Sequence, residues 1–180
     1  APPGWAYGDP VPPNSRWLDL VASVQAFTQQ LNDSPQQEKV SLSTYSDVTS
    51  TDQVLTFDYD GIQTGLNSIS VAFNGGGTGI GNGMLEGLGA LNDDSVNRDY
   101  AVKVMVLLTD GIHYVGSSPE WAASVLRNNG VTLFTVTFSD EAEQSRMRNI
   151  AHTCGGEHFH ATDAAQLAIA FEEIAKRDPT

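Results

Sequence analysis

The spacing of apolar positions divides the chain near Pro13. Residues 1–13 hold Pro2, Pro3, Pro10, Pro12 and Pro13 with Gly4 and Gly8, a composition that propagates neither a helix nor a central strand. This opening reads as a loop, and 14–180 reads as one domain. From Asn14 onward Trp17, Leu20, Val21, Val24, Phe27 and Leu31 recur at helical spacing, with Asn14 or Ser15 placed to cap them, which predicts a helix over 15–31. Val40, Leu42 and Thr44 then alternate with serines, and Val54 to Phe57 is a second β-rich run. The two predict a hairpin, with Thr49 to Asp52 as its polar connection.

A modest helix over 60–70 and a glycine-rich loop over 74–78 come next. After them Ile80, Met84, Leu88 and Leu91 mark a helix, which four internal glycines weaken. Val102 to Leu108 is apolar except for Lys103, the pattern of a strand covered on both faces. Ser118 and Pro119 open a helix that Gly130 ends. Val131 to Phe138 is a second buried strand, 141–152 a helix, 157–161 a short strand and 163–176 a closing helix. Strands alternating with helices predict an α/β fold, a doubly wound and mostly parallel open sheet with helices on both faces. The strands 102–108 and 131–138 are expected to be adjacent, parallel and buried.

Charge narrows the partners. Nine Lys and Arg against 22 Asp and Glu give a net charge of -13, which repels phosphate backbones and argues against nucleic acid. No run approaches the roughly 20 apolar residues of a membrane span. Cys154 is the only cysteine, so an internal disulfide is excluded. Asn32-Asp33-Ser34 is a glycosylation sequon whose meaning depends on the source.

Two segments carry candidate chemistry. Asp110 follows a predicted strand and precedes Gly111, which leaves a carboxylate at the carboxyl edge of the sheet, where open α/β sheets bind ligands. An Asp that only shapes an Asp-Gly turn is the other reading. In Gly75-Gly76-Gly77-Thr78-Gly79-Ile80-Gly81, Thr78 is the one side chain able to ligate. That loop also admits a phosphate cradle, a hinge or a bare helix cap, but it has neither the Walker spacing nor the dinucleotide fingerprint. A hydroxyl and a carboxylate as oxygen donors suit a hard cation such as Mg²⁺.

Gly76-Gly77-Thr78-Gly79-Ile80-Gly81 resembles the threonine loop of von Willebrand factor A (vWA) domains. Val106-Leu107-Leu108-Thr109-Asp110-Gly111 resembles their metal-site aspartate strand, in the right order and about 30 residues later. Cys154 to Phe159 and the helix reaching Phe171 and Ile174 look like the last strand and helix of bacterial members, including those associated with pilus assembly. The resemblance implies a protein-binding module and not an enzyme. Its metal site would use Thr78 and Asp110 to hold Mg²⁺, or Mn²⁺ or Ca²⁺, completed by an acidic group of a protein partner. Gly76, Gly77, Gly79 and Gly111 would shape the loops. From their places at strand ends, Tyr45, Asp47, His113 and Tyr114 are expected to line the rim. The bacterial surface-associated relatives and the low Lys content point to an extracytoplasmic or cell-surface location.

One departure is large. The family places an Asp-x-Ser-x-Ser motif after its first strand, and this sequence has no such motif; Asp9 and Ser15 lack its spacing. The expectation is a partial domain lacking its first central strand, either as a fragment or with that strand held in a separate polypeptide. A domain that has closed its sheet without the strand is the remaining option. A different class of function rests on His152, Cys154, His158 and His160, whose soft donors suit Zn²⁺. It would be a zinc-dependent hydrolase using His152, His158 and His160. A structural assembly domain with a lost metal site is a third reading. No Gly-x-Ser-x-Gly elbow supports nucleophilic catalysis. Asp93 with Asp94, and Glu172 with Glu173, are adjacent in sequence and read as solvated charges.

Overall fold

A computed structural model describes residues 3–33, 38–73, 75–93, 95–96, 98, 100–139 and 142–176. Ser34, Asn74, Asp94 and Glu141, on which parts of the sequence expectations fall, lie outside them. The elements in chain order are α1 (Arg16–Asp33), β1 (Val40–Tyr45), β2 (Thr49–Thr56), α2 (Tyr59–Val71), α3 (Ile80–Leu91), β3 (Lys103–Thr109), α4 (Pro119–Asn128), β4 (Val131–Thr137), α5 (Gln144–Thr153), β5 (His158–His160) and α6 (Ala164–Lys176).

β3, β4 and β5 form a parallel sheet in that order, and β3 and β4 are paired without a slip from Lys103 opposite Val131 to Thr109 opposite Thr137. The expected adjacency and direction of these two strands are thus observed. Their burial differs from expectation. β4, with a neighbour on each side, is buried at Val131 and at every position from Leu133 to Thr137, whereas β3 is half-buried except at Leu107 and Thr109. β3 is an edge strand among the described residues, so its apolar side chains are covered above and below but open at one flank.

β1 and β2 make a separate antiparallel hairpin. Its connection is Ser46 to Val48, closed by Ser46 N–H donating to Val48 O at 2.8 Å. Thr49 to Asp52, expected to be the connection, is strand instead. Ladder pairing with β1 holds its backbone, and the Thr49 and Thr51 hydroxyls donate to Glu86 of α3 at 2.9 and 2.7 Å.

Helices cover both faces. On one side Ile80, Met84 and Leu88 of α3 pack with Ala122 and Leu126 of α4, Met147 and Ile150 of α5, and Leu107 and Leu133 of the sheet. On the other, Leu20 and Val21 of α1, Ile62 and Leu66 of α2, and Leu167, Phe171 and Ile174 of α6 enclose Phe134 and Val136. Fully burying one such side chain contributes about 1.5–3 kcal/mol, so the two clusters dominate stability.

The glycines of α3 lower its helix propensity, and packing explains them. A methyl group on Gly83 would lie 2.6 Å from the Tyr45 ring, so the close approach of α3 to β1 needs a residue without a side chain. Helix α4 starts as its sequence predicts: Ser118 Oγ accepts from Trp121 N–H, and Pro119 occupies the first turn. Helix α5 starts at Gln144, later than expected, because Ala142 N–H turns back to Ser139 O at 3.2 Å.

The Pro/Gly-rich opening is docked. Val11 N–H donates to Ser70 O at 2.8 Å, Phe73 N–H to Asp9 O at 3.2 Å, and Trp5 and Trp17 both pack against the Phe73 ring. These bonds lay the segment over the C-terminal end of α2.

Candidate metal site at the carboxyl edge

Three loops meet where β1 and β3 end. Gly79 N–H donates to Ser46 O at 3.0 Å, tying the glycine loop to the end of β1, and Tyr114 N–H donates to Thr78 O at 2.9 Å, tying it to the loop after β3. Asp47 reaches over the glycine loop and accepts from Gly77 N–H at 2.8 Å. A methyl on Gly77 would collide with that carboxylate, so a side chain there would push Asp47 off the Gly77 amide.

Within this frame Thr78 Oγ1 lies 3.1 Å from the point that a Cβ on Gly111 would occupy. The Thr78 hydroxyl is therefore set against the residue that follows Asp110. Thr78 is half-buried and Asp110 is exposed, on the edge where β3 runs out. Thr109, before it, is 3 % exposed and locks the strand end, with its carbonyl accepting from Phe138 N–H at 3.2 Å. The structure thus places both expected residues on adjacent loops of one edge.

The expected rim divides. Asp47 on the hairpin turn, and His113 and Tyr114 on the loop after β3, stand on two of the three converging loops, with Tyr114 74 % exposed. Tyr45 does not line the rim. It packs with the α3–α4 cluster beneath the site, and its hydroxyl donates to Leu108 O at 2.6 Å. Burial raises the Tyr45 phenol above its ordinary range, against the pull of a hydrogen bond to Thr109, and the charge of Asp110 adds to the rise. The alternation of β1 turns the Tyr45 side chain inward, and that signal outweighs its place at a strand end.

Glu143 is the residue that sequence reasoning missed. Its carboxylate accepts from His113 N–H at 3.1 Å and pairs with Arg146 at 2.6 Å, and Arg146 also bonds Glu120 at 2.9 Å. This chain fixes the loop after β3 to α4 and α5. Nothing in a Glu-x-x-Arg pattern announces that its acid will hold a backbone amide 30 residues away.

The oxygen donors fit a hard divalent cation in kind, because a hydroxyl and a carboxylate share the edge. They do not fill a shell of about six oxygens. The histidine cluster is not assembled as a zinc site: among the described residues no three His, Cys, Asp or Glu side chains are grouped to hold a metal. His158 and His160 instead present Nδ1 to Thr135 and Thr137 at 3.0 and 2.9 Å, His152 is exposed, and the Cys154 thiol donates to Ala123 O at 3.3 Å. No helix among the described residues is long and apolar enough to cross a membrane.

An open α/β domain with a threonine loop and a strand-end aspartate on one edge defines a class of ligand-binding modules. The chain belongs to the von Willebrand factor type A domain family, whose model matches residues 13–175. Among curated proteins none matches it. Proximal thread matrix protein 1 of the mussel byssus, solved with a zinc-occupied MIDAS motif, is 23% identical, with 91% of this chain and 41% of that one covered and a TM-score of 0.70. An aerotolerance-related membrane protein of Bacteroides fragilis is 17% identical, with 92% and 89% covered and a TM-score of 0.74. Manganese-loaded TRAP protein of Plasmodium vivax is 19% identical, with 84% and 63% covered and a TM-score of 0.66. At these identities the likeness is one of fold. The chain spans less than half the length of the mussel protein it matches.

Proposed function

We propose that the chain is a metal-ion-dependent protein-binding module. Thr78 and Asp110 are its metal ligands, and an acidic side chain of the partner completes the shell. The observation that carries this reading is the seating of the Thr78 hydroxyl against Gly111, the residue that follows Asp110. Metal-loaded relatives support it. A bound Mg²⁺, Mn²⁺ or Ca²⁺ would supply a positive centre to which a carboxylate binds directly.

The protein's own residues set the terms of that binding. Asp110 contributes the one negative charge and Thr78 a neutral oxygen, so solvent fills most of the shell and affinity is low until a partner acid arrives. Asp47 bonds Gly77 N–H, which keeps the loop and its threonine in place. Tyr114, Ile112 and Val115, all exposed, surround the edge with apolar surface that a partner would bury. Display outside the cytoplasm, as in adhesion or pilus assembly, is part of the same proposal. It draws support from the bacterial membrane-protein neighbour.

Mn²⁺-induced broadening of amide signals tests the site. Titration of the isotope-labelled chain is expected to broaden residues 76–79 and 110–114 first, and Asp110→Ala is expected to abolish that pattern while the remaining spectrum stays intact. Uniform broadening, or a pattern that survives both Asp110→Ala and Thr78→Val, would leave the module without a metal site and favour a purely structural assembly role.

A further inference from the structure

The glycine loop runs beneath two side chains, not one. Asp47 covers Gly76 and Gly77, where a Cβ on either glycine would strike its carboxylate. Gly75, at the entry of the loop, meets a different neighbour. A Cβ there would strike Cε1 of Tyr7 and lie 2.7 Å from its Cζ, so the tyrosine ring rests on the bare backbone of Gly75. A side chain at position 75 would push the ring aside.

Tyr7 is brought there by a strap that has little freedom of its own. Asp9 N–H donates to Ala6 O at 3.1 Å and Ala6 N–H to the Asp9 carboxylate at 2.9 Å, which closes a turn around Tyr7. Gly8 in that turn has a φ of 97°, in the region that favours glycine. Its N–H donates to Phe73 O at 2.9 Å, and the Trp5 indole N–H donates to Pro10 O at 2.9 Å. The Tyr7 ring meets Trp5 edge to face at 5.5 Å, and Trp5 leans in turn on Phe73. The strap is therefore tied to Ser70 and Phe73, the stretch that leads into the glycine loop, and folds Tyr7 back over the loop's first step.

We propose that Tyr7 is a positioning residue of the carboxyl edge, whose ring pins the entry of the glycine loop and so keeps Thr78 in its seat. The proposal rests on the reading of Thr78 as a metal ligand and names what holds it in place. Glycine has the most backbone freedom to lose on ordering, and Gly75, Gly76 and Gly77 are consecutive. Main-chain bonds to Ser46 and Tyr114 hold only the far end of the loop, at Gly79 and Thr78. Without the ring, the Thr78 hydroxyl would stand against Gly111 for a smaller fraction of the time, and affinity at the edge falls by that fraction. Tyr7 is 63 % exposed and belongs to neither core cluster, so its loss leaves the fold itself largely untouched.

Two measurements on the isotope-labelled chain test the clamp. The first is solvent exchange of the Gly77 amide, which is bonded to Asp47, with EDTA present so that metal plays no part. Tyr7→Ala is expected to speed that exchange about fivefold, the worth of one ring contact, while Leu133 and Val136 of β4 keep their rates. The second is Mn²⁺ titration, in which Tyr7→Ala is expected to weaken binding by about the same factor with Tm unchanged. Tyr7→Phe, which keeps the ring carbons that touch Gly75, is expected to retain the parent values, and Gly75→Ala to reproduce Tyr7→Ala. Unchanged Gly77 exchange in both Tyr7→Ala and Gly75→Ala would overturn the proposal, as would faster exchange with unaltered Mn²⁺ affinity. A parent chain that binds no Mn²⁺ at this edge would instead remove the metal reading, and the exchange comparison in EDTA would decide the clamp by itself.

Discussion

The Asp47 carboxylate and the Gly77 amide, 30 positions apart in sequence, are joined by a hydrogen bond of 2.8 Å that crosses the top of the candidate site. Among the described residues it is the side-chain bond that reaches the glycine loop from the hairpin turn. A hydrogen bond to an ionised acceptor contributes about 1.5–3 kcal/mol when sheltered and less at an exposed position. Asp47→Ala is therefore expected to lower unfolding free energy by about 1 kcal/mol, and Gly77→Ala by at least as much, because its methyl would strike the carboxylate. Urea denaturation measures both. If both variants are as stable as the parent, the Asp47–Gly77 bond does not hold the loop.

Gly83 and Tyr45 meet in a close helix–strand approach, in which a methyl added to the glycine would fall 2.6 Å from the ring. Overpacking of this kind costs about 1–3 kcal/mol. Gly83→Ala is expected to fall in that range, and Gly83→Ala combined with Tyr45→Leu to recover part of the loss. Strict additivity in the double mutant would show that the two residues do not touch.

His158 gives the protein a pH dependence with a definite sign. The Thr135 hydroxyl donates to Met147 O at 3.2 Å, so it accepts from His158 Nδ1–H, and the buried Nε2 is left with no partner among the described residues. A second proton there would be desolvated and unbonded. Burial, with Arg148 and His160 nearby, lowers its pKa from 6.5 to about 4. The unfolded chain takes up the proton first, so stability is full above pH 6.5 and falls as the pH drops towards 4. His158→Asn, which keeps a donor near Thr135 but does not titrate, is expected to flatten the Tm profile across that window. An unchanged profile would assign the acid sensitivity elsewhere.

Cys154 is buried, and burial raises its thiol above the ordinary range. The thiolate is the reactive form. Labelling by a thiol reagent at about pH 8 is expected to be at least roughly a hundredfold slower in the native protein than in urea. Comparable rates would show that the turn before Gly155 opens freely.

Local chemistry explains which parts of this were legible in the sequence. The adjacency and direction of β3 and β4 follow from two largely apolar runs joined by a helix, and the start of α4 from Ser118 and Pro119, since each signal acts within its own segment. The strand character of Thr49 to Asp52 was hidden because its polar side chains look like a turn, and its hydroxyls are satisfied by Glu86 on a helix far along the chain. Thr78 and Asp110 were readable as residue types following a glycine loop and a strand. Their seating on one edge depends on Ser46, Tyr114 and Glu143, whose contacts are all long-range.

The stitches that hold the carboxyl edge have a consequence for how this module changes over time. Gly79 to Ser46 and Tyr114 to Thr78 are main-chain bonds, so the frame they build is indifferent to the identity of Ser46 and Tyr114. Side chains around Thr78 can then be exchanged by mutation while the loops keep their places. Such a face can be retargeted from one binding partner to another in single steps, with little cost to folding at each.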